Sequence, residues 1–349
     1  MYSQLYQKQV AEDIQSRYLE LLLKNTQLNI NQVTVEPISD AGFCNNVYRI
    51  EQNIRSEEGQ PRTTTFVAKI FSDLAKKRLD PTQKNIGEID ELLYKENIGP
   101  NILAHSSDAL LMEYIDGKVL TESMLFDKER GLDLCKEVGD TLGEMHNLQG
   151  YHKEVGPNML WHALDVMLSS CDENICLTTD RGNTWNLNEL KKTIASHKDR
   201  LEELKLTCVP IGHGDFKVSN IIQKATGDIR LIDFELAGPH YRAYDLAKLF
   251  RSSSNDKRES TLSYKLAFLE SYYWRTHEEK SVSTKPLAAA IHQLEWEVQL
   301  LEPMTWLEAA SFFLCMATLD APSEKEKWIG LAQRRLNSYE KMQQIKTKT

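Results

Sequence analysis

The sequence has little cysteine, no long apolar run and no excess of basic charge. Its six cysteines include no CxxC pair and no zinc-ligand spacing, so we expect free thiols in a reducing compartment. The longest apolar stretch near the C-terminus, residues 311–319, is too short to span a bilayer. The first residues lack a basic segment followed by an apolar one, so we expect no signal peptide, no transmembrane segment and a cytoplasmic protein.

The charge balance argues against one class of partner. The chain has 42 Lys and Arg residues against 51 Asp and Glu residues, a formal net charge of −9 at pH 7. Such an acidic protein has no bulk attraction for nucleic acid or anionic lipid, so neither is expected as a partner. An acidic surface is compatible with a cationic amine without identifying one. With 41% hydrophobic and 27% charged residues, the 349-residue chain is typical of a globular protein of one large domain or two lobes.

In the most informative segment, residues 211–238, acidic and amide side chains flank one predicted hairpin. If Lys224 faces Ile229 across the hairpin, Asn220 faces Asp233, and cross-strand neighbours lie roughly 5 Å apart. Two oxygen-bearing side chains at that separation could together hold one Mg²⁺ ion. The sequence therefore predicts a metal clamp of Asn220 and Asp233.

A further acid, Asp215, precedes this clamp, with Lys217 beside it and His213 before it. A carboxylate near a metal clamp can orient an acceptor hydroxyl and take its proton, as in phosphoryl transfer. Each of these acids alone would be interpreted as a solvated turn residue. The occurrence of His213, Asp215, Asn220 and Asp233 in this order favours a phosphotransferase.

These residues carry a family resemblance. Residues 213–220 (HGDFKVSN) resemble the HxDxxxxN catalytic loop of the kinase-like phosphotransferases that act on small molecules. Residues 232–247 (IDFELAGPHYRAYDLA) resemble the choline/ethanolamine kinase signature IDFEYAGxNYRAFDIA. The resemblance is dense over residues 211–250 and weaker over residues 33–117.

The resemblance implies an α+β, two-lobed protein-kinase-like fold. Residues 1–114 would form a nucleotide-binding lobe around an antiparallel sheet, and residues 115–349 a mainly helical catalytic and acceptor-binding lobe. The implied activity is ATP-dependent phosphorylation of the hydroxyl of a small amino-alcohol, choline or ethanolamine, with Mg²⁺, as the first step of phospholipid head-group synthesis. A homodimer is an assembly that the sequence leaves open.

The resemblance also implies a set of nucleotide-binding residues in the first lobe. Lys69, in the apolar strand at residues 63–71, would be the cation on the phosphates, and Glu88 or Glu91 of the following helix would pair with it. Without the resemblance, Lys69 would be interpreted as an edge-strand lysine and both glutamates as surface charges. The full predicted set is Gly42, Asn45, Lys69, Glu88, Glu113 and Ile115.

The catalytic and acceptor residues are predicted in the second half of the chain. The catalytic set is Asp215, Lys217, Asn220 and Asp233, with Asn220 and Asp233 as the metal ligands. The acceptor set is Glu235, Tyr241, Arg242, Tyr244, Trp296 and Trp306, since aromatic faces attract a quaternary ammonium. Leu236 replaces an aromatic residue of the signature, which favours an acceptor with a primary amine over one with a quaternary ammonium. Asp245 is expected to hold the N–H groups of the catalytic loop, and His146 and His213 to brace that loop.

Two alternative functions stay open. The same chemistry could act on an aminoglycoside, thiamine or a sugar-like alcohol, or the chain could be a catalytically silent binding module. A protein kinase is disfavoured because residues 233–235 (DFE) lack the glycine of DFG. Residues 150–186 are predicted to be a polar surface excursion of unassigned role.

Overall fold

The computed structural model describes residues 33–38, 44–55, 61–148, 158–251, 261–277 and 287–348. The chain forms two compact units. The first unit extends to Lys118 and also includes Ile222–Glu235, and the second consists of Val119–Ile221 and the chain from Leu236 onwards. Apolar residues at helical spacing predict an opening helix over residues 10–22. That segment and the predicted loop glycine Gly42 lie outside the described residues.

The first unit is built on a five-stranded antiparallel sheet. Its strands are β1 (Val33–Pro37), β2 (Asn46–Arg55), β3 (Pro61–Ile70), β4 (Ile102–His105) and β5 (Ala109–Glu113), in the order β1-β2-β3-β5-β4. The β-branched run before Lys69 favours a strand, and β3 lies in the centre of the sheet. Lys69 faces Val47 on one side and Leu110 on the other, so it is not an edge-strand residue.

Two short helices follow the central strand. Helix α1 (Asp73–Arg78) begins at Ser72, whose hydroxyl accepts the Ala75 N–H at 3.1 Å. The sequence pattern of residues 85–97 predicts a helix, and helix α2 (Glu88–Lys95) lies within that range and buries Ile89 and Leu93. Its end is followed by Gly99 and Pro100, which suit a helix stop.

A hairpin of β10 (Ile221–Gln223) and β11 (Ile229–Leu231) forms a small sheet with β6 (Lys118–Val119) in the order β11-β10-β6. The Lys224 N–H donates to the Asp228 carbonyl at 2.9 Å, and the Gly227 N–H donates to the Lys224 carbonyl at 3.0 Å. Gly227 has φ 95°, which places it in the left-handed region as a bulge residue. The predicted pairing of Lys224 with Ile229 is therefore wrong by one residue, because the bulge takes one residue from the second strand.

The second unit is mainly helical, as predicted. Its helices are α3 (Glu122–Leu125), α4 (Gly131–Asn147), α5 (Met159–Ser169), α6 (Leu187–Glu203), α7 (Arg242–Phe250), α8 (Leu262–His277), α9 (Leu287–Leu319) and α10 (Lys325–Lys348). Two antiparallel strand pairs accompany them, β7 (Cys176–Thr178) with β8 (Thr184–Asn186), and β9 (Cys208–Gly212) with β12 (Gly238–Tyr241). The α+β class, with an antiparallel sheet followed by a helical region, is thus confirmed.

The segment predicted as a polar surface excursion is structured differently over its described part. Helix α5 buries Met159, Leu160, Trp161 and Leu164, and β7 and β8 form a hairpin. The prediction of an excursion is wrong for these residues because their apolar side chains fill the core of the second unit. All six cysteines are free thiols. Within the described residues, no helix combines the length and the apolar character needed to cross a membrane.

Candidate active site

In the first unit, a buried lysine bridges two carboxylates. The Lys69 ammonium on β3 forms an ion pair with Asp233 and a second with Glu235, at 3.1 Å. Burial alone would lower the pKa of Lys69, but the two carboxylates outweigh it and raise the pKa. We call Lys69, Asp233 and Glu235 the Lys69 cluster.

Glu235 is held from three sides. Its carboxylate accepts from Asn45 and from Lys69, and it pairs with Arg78 at 2.8 Å. The carbonyl oxygen of the Asn45 side chain accepts the Ser72 N–H at 3.2 Å, which fixes the amide against the start of α1. Glu235 was predicted to face the amine of an acceptor, but here its charge is matched by cations of its own unit.

Asp90 of α2 is an acid whose charge raises the pKa of Lys69. Burial raises the pKa of Asp90 to about 6, although the charge of Lys69 acts in the opposite direction. Glu88 instead accepts the Lys84 N–H at 2.7 Å, and Glu91 is exposed. The prediction of Glu88 or Glu91 as the partner of Lys69 is corrected, because Asp233 and Glu235 pair with it and Asp90 is the acid of α2 that faces it.

Asp233 has a backbone conformation that few residues with a side chain adopt. Its φ of 72° lies in the left-handed region. Such a conformation is kept where the surroundings impose it, often at functional sites. Asp233 and Glu235 share one ammonium, so their carboxylates lie close enough to share a cation.

The first unit offers carboxylate oxygens of the kind that bind magnesium. Mg²⁺ commonly takes one or two carboxylates from the protein and its other ligands from phosphates and water. Among the described residues, no group of three or more His, Cys, Asp or Glu is arranged to hold a metal. Asp233 can supply one carboxylate ligand to Mg²⁺. The predicted second ligand, Asn220, belongs to the second unit. With the hairpin register corrected, the clamp of Asn220 and Asp233 stays a prediction.

Glu113 and Ile115, two of the predicted nucleotide-binding residues, lie at and just after the end of β5. Glu113 donates its backbone N–H to the Asn101 carbonyl at 2.8 Å, and its carboxylate accepts the Asn101 N–H at 3.3 Å. Ile115 is buried, as expected of a pocket wall or of a core residue. Their role towards a nucleotide stays a prediction.

In the second unit, Asp215 lies between two lysines. Lys217 pairs with one carboxylate oxygen at 2.7 Å and Lys248 with the other at 2.8 Å. Burial raises the pKa of Asp215, but the charges of Lys248 and Lys217 outweigh it and hold the pKa well below its ordinary value. Asp215 is therefore ionised, as a proton acceptor must be.

Lys248 is buried and has further partners. Its ammonium pairs with the buried Glu308 at 3.1 Å and donates to the Gly214 carbonyl at 3.3 Å. We call Lys248, Asp215 and Glu308 the Lys248 cluster. Sequence reasoning missed it, because a lysine in the last turn of α7 and a glutamate in α9 carry no local sign that they are buried.

Asn220 ends a 3₁₀ turn (Val218–Asn220) and points its amide at Asp215. The amide nitrogen donates to the Asp215 carbonyl at 3.0 Å and approaches the Asp215 carboxylate at 3.4 Å. The Asn220 oxygen accepts no hydrogen bond from the described residues. It is thus left available for a ligand, as the prediction of a metal-binding amide requires.

The loop that carries Asp215 is fixed by Asp245 at the start of α7. The carboxylate of Asp245 accepts the His213 N–H at 2.7 Å and the Gly214 N–H at 2.9 Å. His146 lies 3.0 Å from the same carboxylate. Burial raises the pKa of Asp245, but its hydrogen bond and charge interaction with His146 dominate and bring the pKa to about 2. The predicted role of Asp245 as the anchor of the loop is confirmed.

Histidine braces the same loop from within. The Asp215 N–H donates to Nδ1 of His213 at 3.3 Å, so this ring nitrogen acts as an acceptor. His146 makes a second contact, 2.9 Å from the Tyr272 hydroxyl. Both histidines therefore hold the loop through hydrogen bonds, as predicted.

The aromatic residues predicted for the acceptor are engaged elsewhere. Tyr241 is buried and accepts the Trp161 ring N–H at 3.2 Å, and Tyr244 is 1% exposed and stacks on His240. Trp306 is buried under two guanidinium groups, whereas Trp296 is 40% exposed. These four rings are not brought together as a cage, because their faces pack inside the second unit or face solvent. Arg242 forms a two-pronged pair with Glu297 at 2.7 and 2.8 Å, as expected of an arginine paired with an acid.

Comparisons with known proteins agree with the fold. The sequence model of the choline/ethanolamine kinase family matches residues 35–339. A choline kinase structure from Cryptosporidium parvum is 17% identical, with a TM-score of 0.64 over 96% of this chain and 95% of that one. An ethanolamine kinase structure from Plasmodium vivax is 17% identical, with a TM-score of 0.62 over 88% of this chain and 82% of that one.

A third structure is the choline kinase LicA from Streptococcus pneumoniae. It is 16% identical, with a TM-score of 0.60 over 96% of this chain and 98% of that one. LicA has also been solved in complex with AMP, at a TM-score of 0.63. A comparison with curated protein sequences finds no match. Because the family model spans most of the chain, the protein belongs to the choline/ethanolamine kinase family and is a phosphotransferase that uses an alcohol group as the acceptor.

Proposed function

We propose that the protein transfers the γ-phosphoryl group of ATP to the hydroxyl of a small amino-alcohol, with Mg²⁺. The observation that carries the proposal is the ionised Asp215 between Lys217 and Lys248, on a loop fixed by Asp245. A silent binding module would have no need to keep a carboxylate ionised on a rigid loop beside a lysine that is partly exposed. We therefore favour an active kinase.

Asp215 is the proton acceptor in this proposal. An acceptor hydroxyl would donate a hydrogen bond to its carboxylate, which takes the proton as the oxygen attacks the γ-phosphorus and the bond to the bridging oxygen of ADP breaks. Lys217 has a side chain that is 44% exposed, so it can leave Asp215 and follow the charge of the transferring group. Lys248 is buried and stays on Asp215, which keeps the carboxylate oriented throughout.

The Lys69 cluster is assigned to the nucleotide. Lys69 would bind the α- and β-phosphates, with Asp90 and Glu235 holding its ammonium in place. Asn220 and Asp233 are the residues proposed to hold Mg²⁺, which when bound neutralises phosphate charge. Asn45 and Gly42 are proposed to lie along the phosphates, and Glu113 and Ile115 along the base.

The acceptor is proposed to carry a primary amine. A quaternary ammonium is best held over open aromatic faces, and the rings of Tyr241, Tyr244 and Trp306 are occupied by other side chains. A primary amine relies on hydrogen-bond acceptors instead. Ethanolamine is therefore proposed ahead of choline, with the synthesis of phospholipid head groups in the cytoplasm as the setting.

A coupled ADP-release assay tests the activity. The purified protein is supplied with ATP and Mg²⁺ and with ethanolamine, choline, thiamine or an aminoglycoside. We expect kcat/KM for ethanolamine to exceed that for choline by about tenfold, the equivalent of about 1.4 kcal/mol. Equal or better turnover of an aminoglycoside would move the acceptor to another class. No turnover of any alcohol, with ATP binding intact, would support the silent module.

A further inference from the structure

Three helices of the second unit bring two arginines onto one buried indole. Trp306 of α9 is 6% exposed. The guanidinium carbon of Arg251, directly after α7, lies 4.7 Å from the centre of its ring, and that of Arg335 on α10 lies 5.8 Å away. Arg335 also lies 5.6 Å from the ring centre of Phe313. The packing thus gathers two positive charges in one half-buried place.

Within the described residues, these charges are only partly balanced. Burial lowers the pKa of Arg335, and the charges of Arg251 and Arg334 lower it further. Glu308 is the acid that opposes this effect, but its carboxylate is already paired with Lys248 at 3.1 Å. Among the described residues, no carboxylate forms an ion pair with Arg251 or Arg335. The place therefore has an excess of positive charge.

Two of the buried polar atoms left unpaired in this part of the second unit can only donate. The ring N–H of Trp306 and the Nε–H of Arg335 are buried and lack a hydrogen-bond partner within the described chain. Arg251 uses one of its N–H groups on the Thr305 carbonyl at 2.9 Å. Arginine and indole N–H groups cannot accept hydrogen bonds, so their partner must be an acceptor. Buried donors without a partner are costly, so an acceptor that reached them would stabilise the protein.

We propose that Arg251, Arg335 and the Trp306 N–H form a binding site for a small oxyanion, a phosphate or carboxylate group. Guanidinium groups match both anions through paired N–H donors. Ordinary stacking of arginine on tryptophan would explain one guanidinium on the ring, but not two neighbouring cations with buried donors unpaired. The anion is either free or a group of a larger small molecule such as the acceptor.

The binding experiment compares two neighbouring arginines. The affinity for inorganic phosphate is measured by calorimetry for the whole protein, for Arg335→Gln and for Arg334→Gln. Arg334 is exposed, so its loss removes the same charge without removing a donor of the site. We expect Arg335→Gln to weaken binding by about tenfold or more and Arg334→Gln by no more than about threefold. Equal losses, or no phosphate binding by the unchanged protein, would overturn the proposal.

Two further variants test where on the protein the phosphate binds. Lys69→Ala removes the proposed nucleotide phosphate site, and the phosphate binding that depends on Arg335 should survive it. Trp306→Phe keeps a ring and removes only the N–H, and it should weaken phosphate binding by a few-fold. If Lys69→Ala abolishes the binding, the phosphate was at the nucleotide site and the proposal fails.

Thermal melting separates a ligand site from a structural one. With no anion present, Arg335→Gln removes a cation that is repelled by its neighbours, so its Tm should equal or exceed that of the unchanged protein. Added phosphate should raise the Tm of the unchanged protein but not that of the variant, since a ligand of the native state stabilises it. A large fall in Tm without anion would identify Arg335 as a structural residue and contradict the site. Arg335→Lys keeps the charge but loses the paired donors of the guanidinium group, so its phosphate affinity should lie between those of the unchanged protein and Arg335→Gln.

The source of the anion is decided with the kinase assay, and this last step rests on the proposed function. If phosphate raises the acceptor KM in the unchanged protein but not in Arg335→Gln, the site belongs to the acceptor pocket, and the acceptor carries an anionic group. If the KM is unaffected while binding persists, the site takes a free anion. An inactive enzyme would remove the proposed function but leave the calorimetric result standing.

Discussion

Each unit of the molecule contains a buried lysine between two carboxylates, and the two clusters differ in their balance of charge. Around the Lys69 cluster, Arg78 and Asp90 bring the count to two cations and three acids. Around the Lys248 cluster, Lys217 brings the count to two cations and two acids. The first cluster is short of one positive charge, and the second is neutral.

The difference suits two tasks. A cluster with an uncompensated negative charge attracts a further cation, as a magnesium site must, whereas a neutral cluster keeps its own carboxylate ionised without drawing in metal. Within the second cluster, two ammonium groups act on the single acid Asp215. The same residue types thus favour nucleotide–metal binding in one unit and proton acceptance in the other.

The largest expected effect is that of Asp215→Ala. If the second cluster supplies the proton acceptor, kcat should fall by about three orders of magnitude or more, within the range of general-base catalysis combined with lost positioning. The affinity for ATP should change by less than about threefold, because Asp215 is assigned to the acceptor. Single-turnover kinetics and nucleotide titration check both values. A variant that no longer folds, by circular dichroism, would make Asp215 a structural acid instead.

The two buried lysines should respond differently to the same change. Lys69→Met should raise the KM for ATP by about tenfold or more, since it removes a charged contact of the phosphates. Lys248→Met should lower kcat by a similar factor and leave the KM for ATP nearly unchanged, because it frees the carboxylate of Asp215. Steady-state kinetics with ATP varied give both parameters. Identical changes in the two variants would contradict the assignment of the Lys69 cluster to ATP binding and of the Lys248 cluster to catalysis.

Asp245→Asn should destabilise the protein by about 3 kcal/mol, because an amide cannot accept both loop N–H groups and the contact of His146 as a carboxylate does. The pKa of Asp245 is about 2 in the folded protein against an ordinary value of 3.8, so its stabilisation is present above the ordinary value and is lost as pH falls towards 2. The difference in Tm between the unchanged protein and the variant should therefore shrink as pH falls from about 4 to about 2. A difference that stays constant would contradict the role of the ionised carboxylate.

The smallest effect is expected from Asp90→Asn. The pKa of Asp90 is raised to about 6, so its ionisation costs stability as pH rises through the range between its ordinary value and about 6. The variant should gain stability relative to the unchanged protein over that range, by about 1 kcal/mol. Thermal melting at pH 4 and at pH 7.5 measures the gain. Glu88→Gln on the same helix is the matched charge control, and it should change the free energy of unfolding by no more than about 0.5 kcal/mol at either pH.

The fold was largely predictable from the sequence. The central strand before Lys69, the helix around residues 85–97 and the loop at residues 213–220 all carry local patterns strong enough to identify them. The one-residue error in the hairpin came from Gly227, since a turn of the same sequence can close with or without a bulge. Pairing arithmetic across a short turn is sensitive to this single choice.

The site was predictable where one segment carries it and not where distant helices contribute. Asp215, Asn220 and Asp233 stand within nineteen residues, and their order is informative by itself. Lys248 and Glu308 meet Asp215 only because α7 and α9 pack together. The predicted partner of Lys69, Glu88 or Glu91, is wrong because helical periodicity does not fix which face of a short helix points inward.

The first unit is made of two separate stretches of chain, and this affects any attempt to produce it alone. A fragment that stops at Lys118 would contain Lys69 but neither Asp233 nor Glu235, because these lie in Ile222–Glu235. An ammonium left in an apolar interior without its counter-ions favours the unfolded chain. Truncation would thus yield an unstable product, whereas a fusion that joins the hairpin to the fragment through a short linker would restore the missing acids.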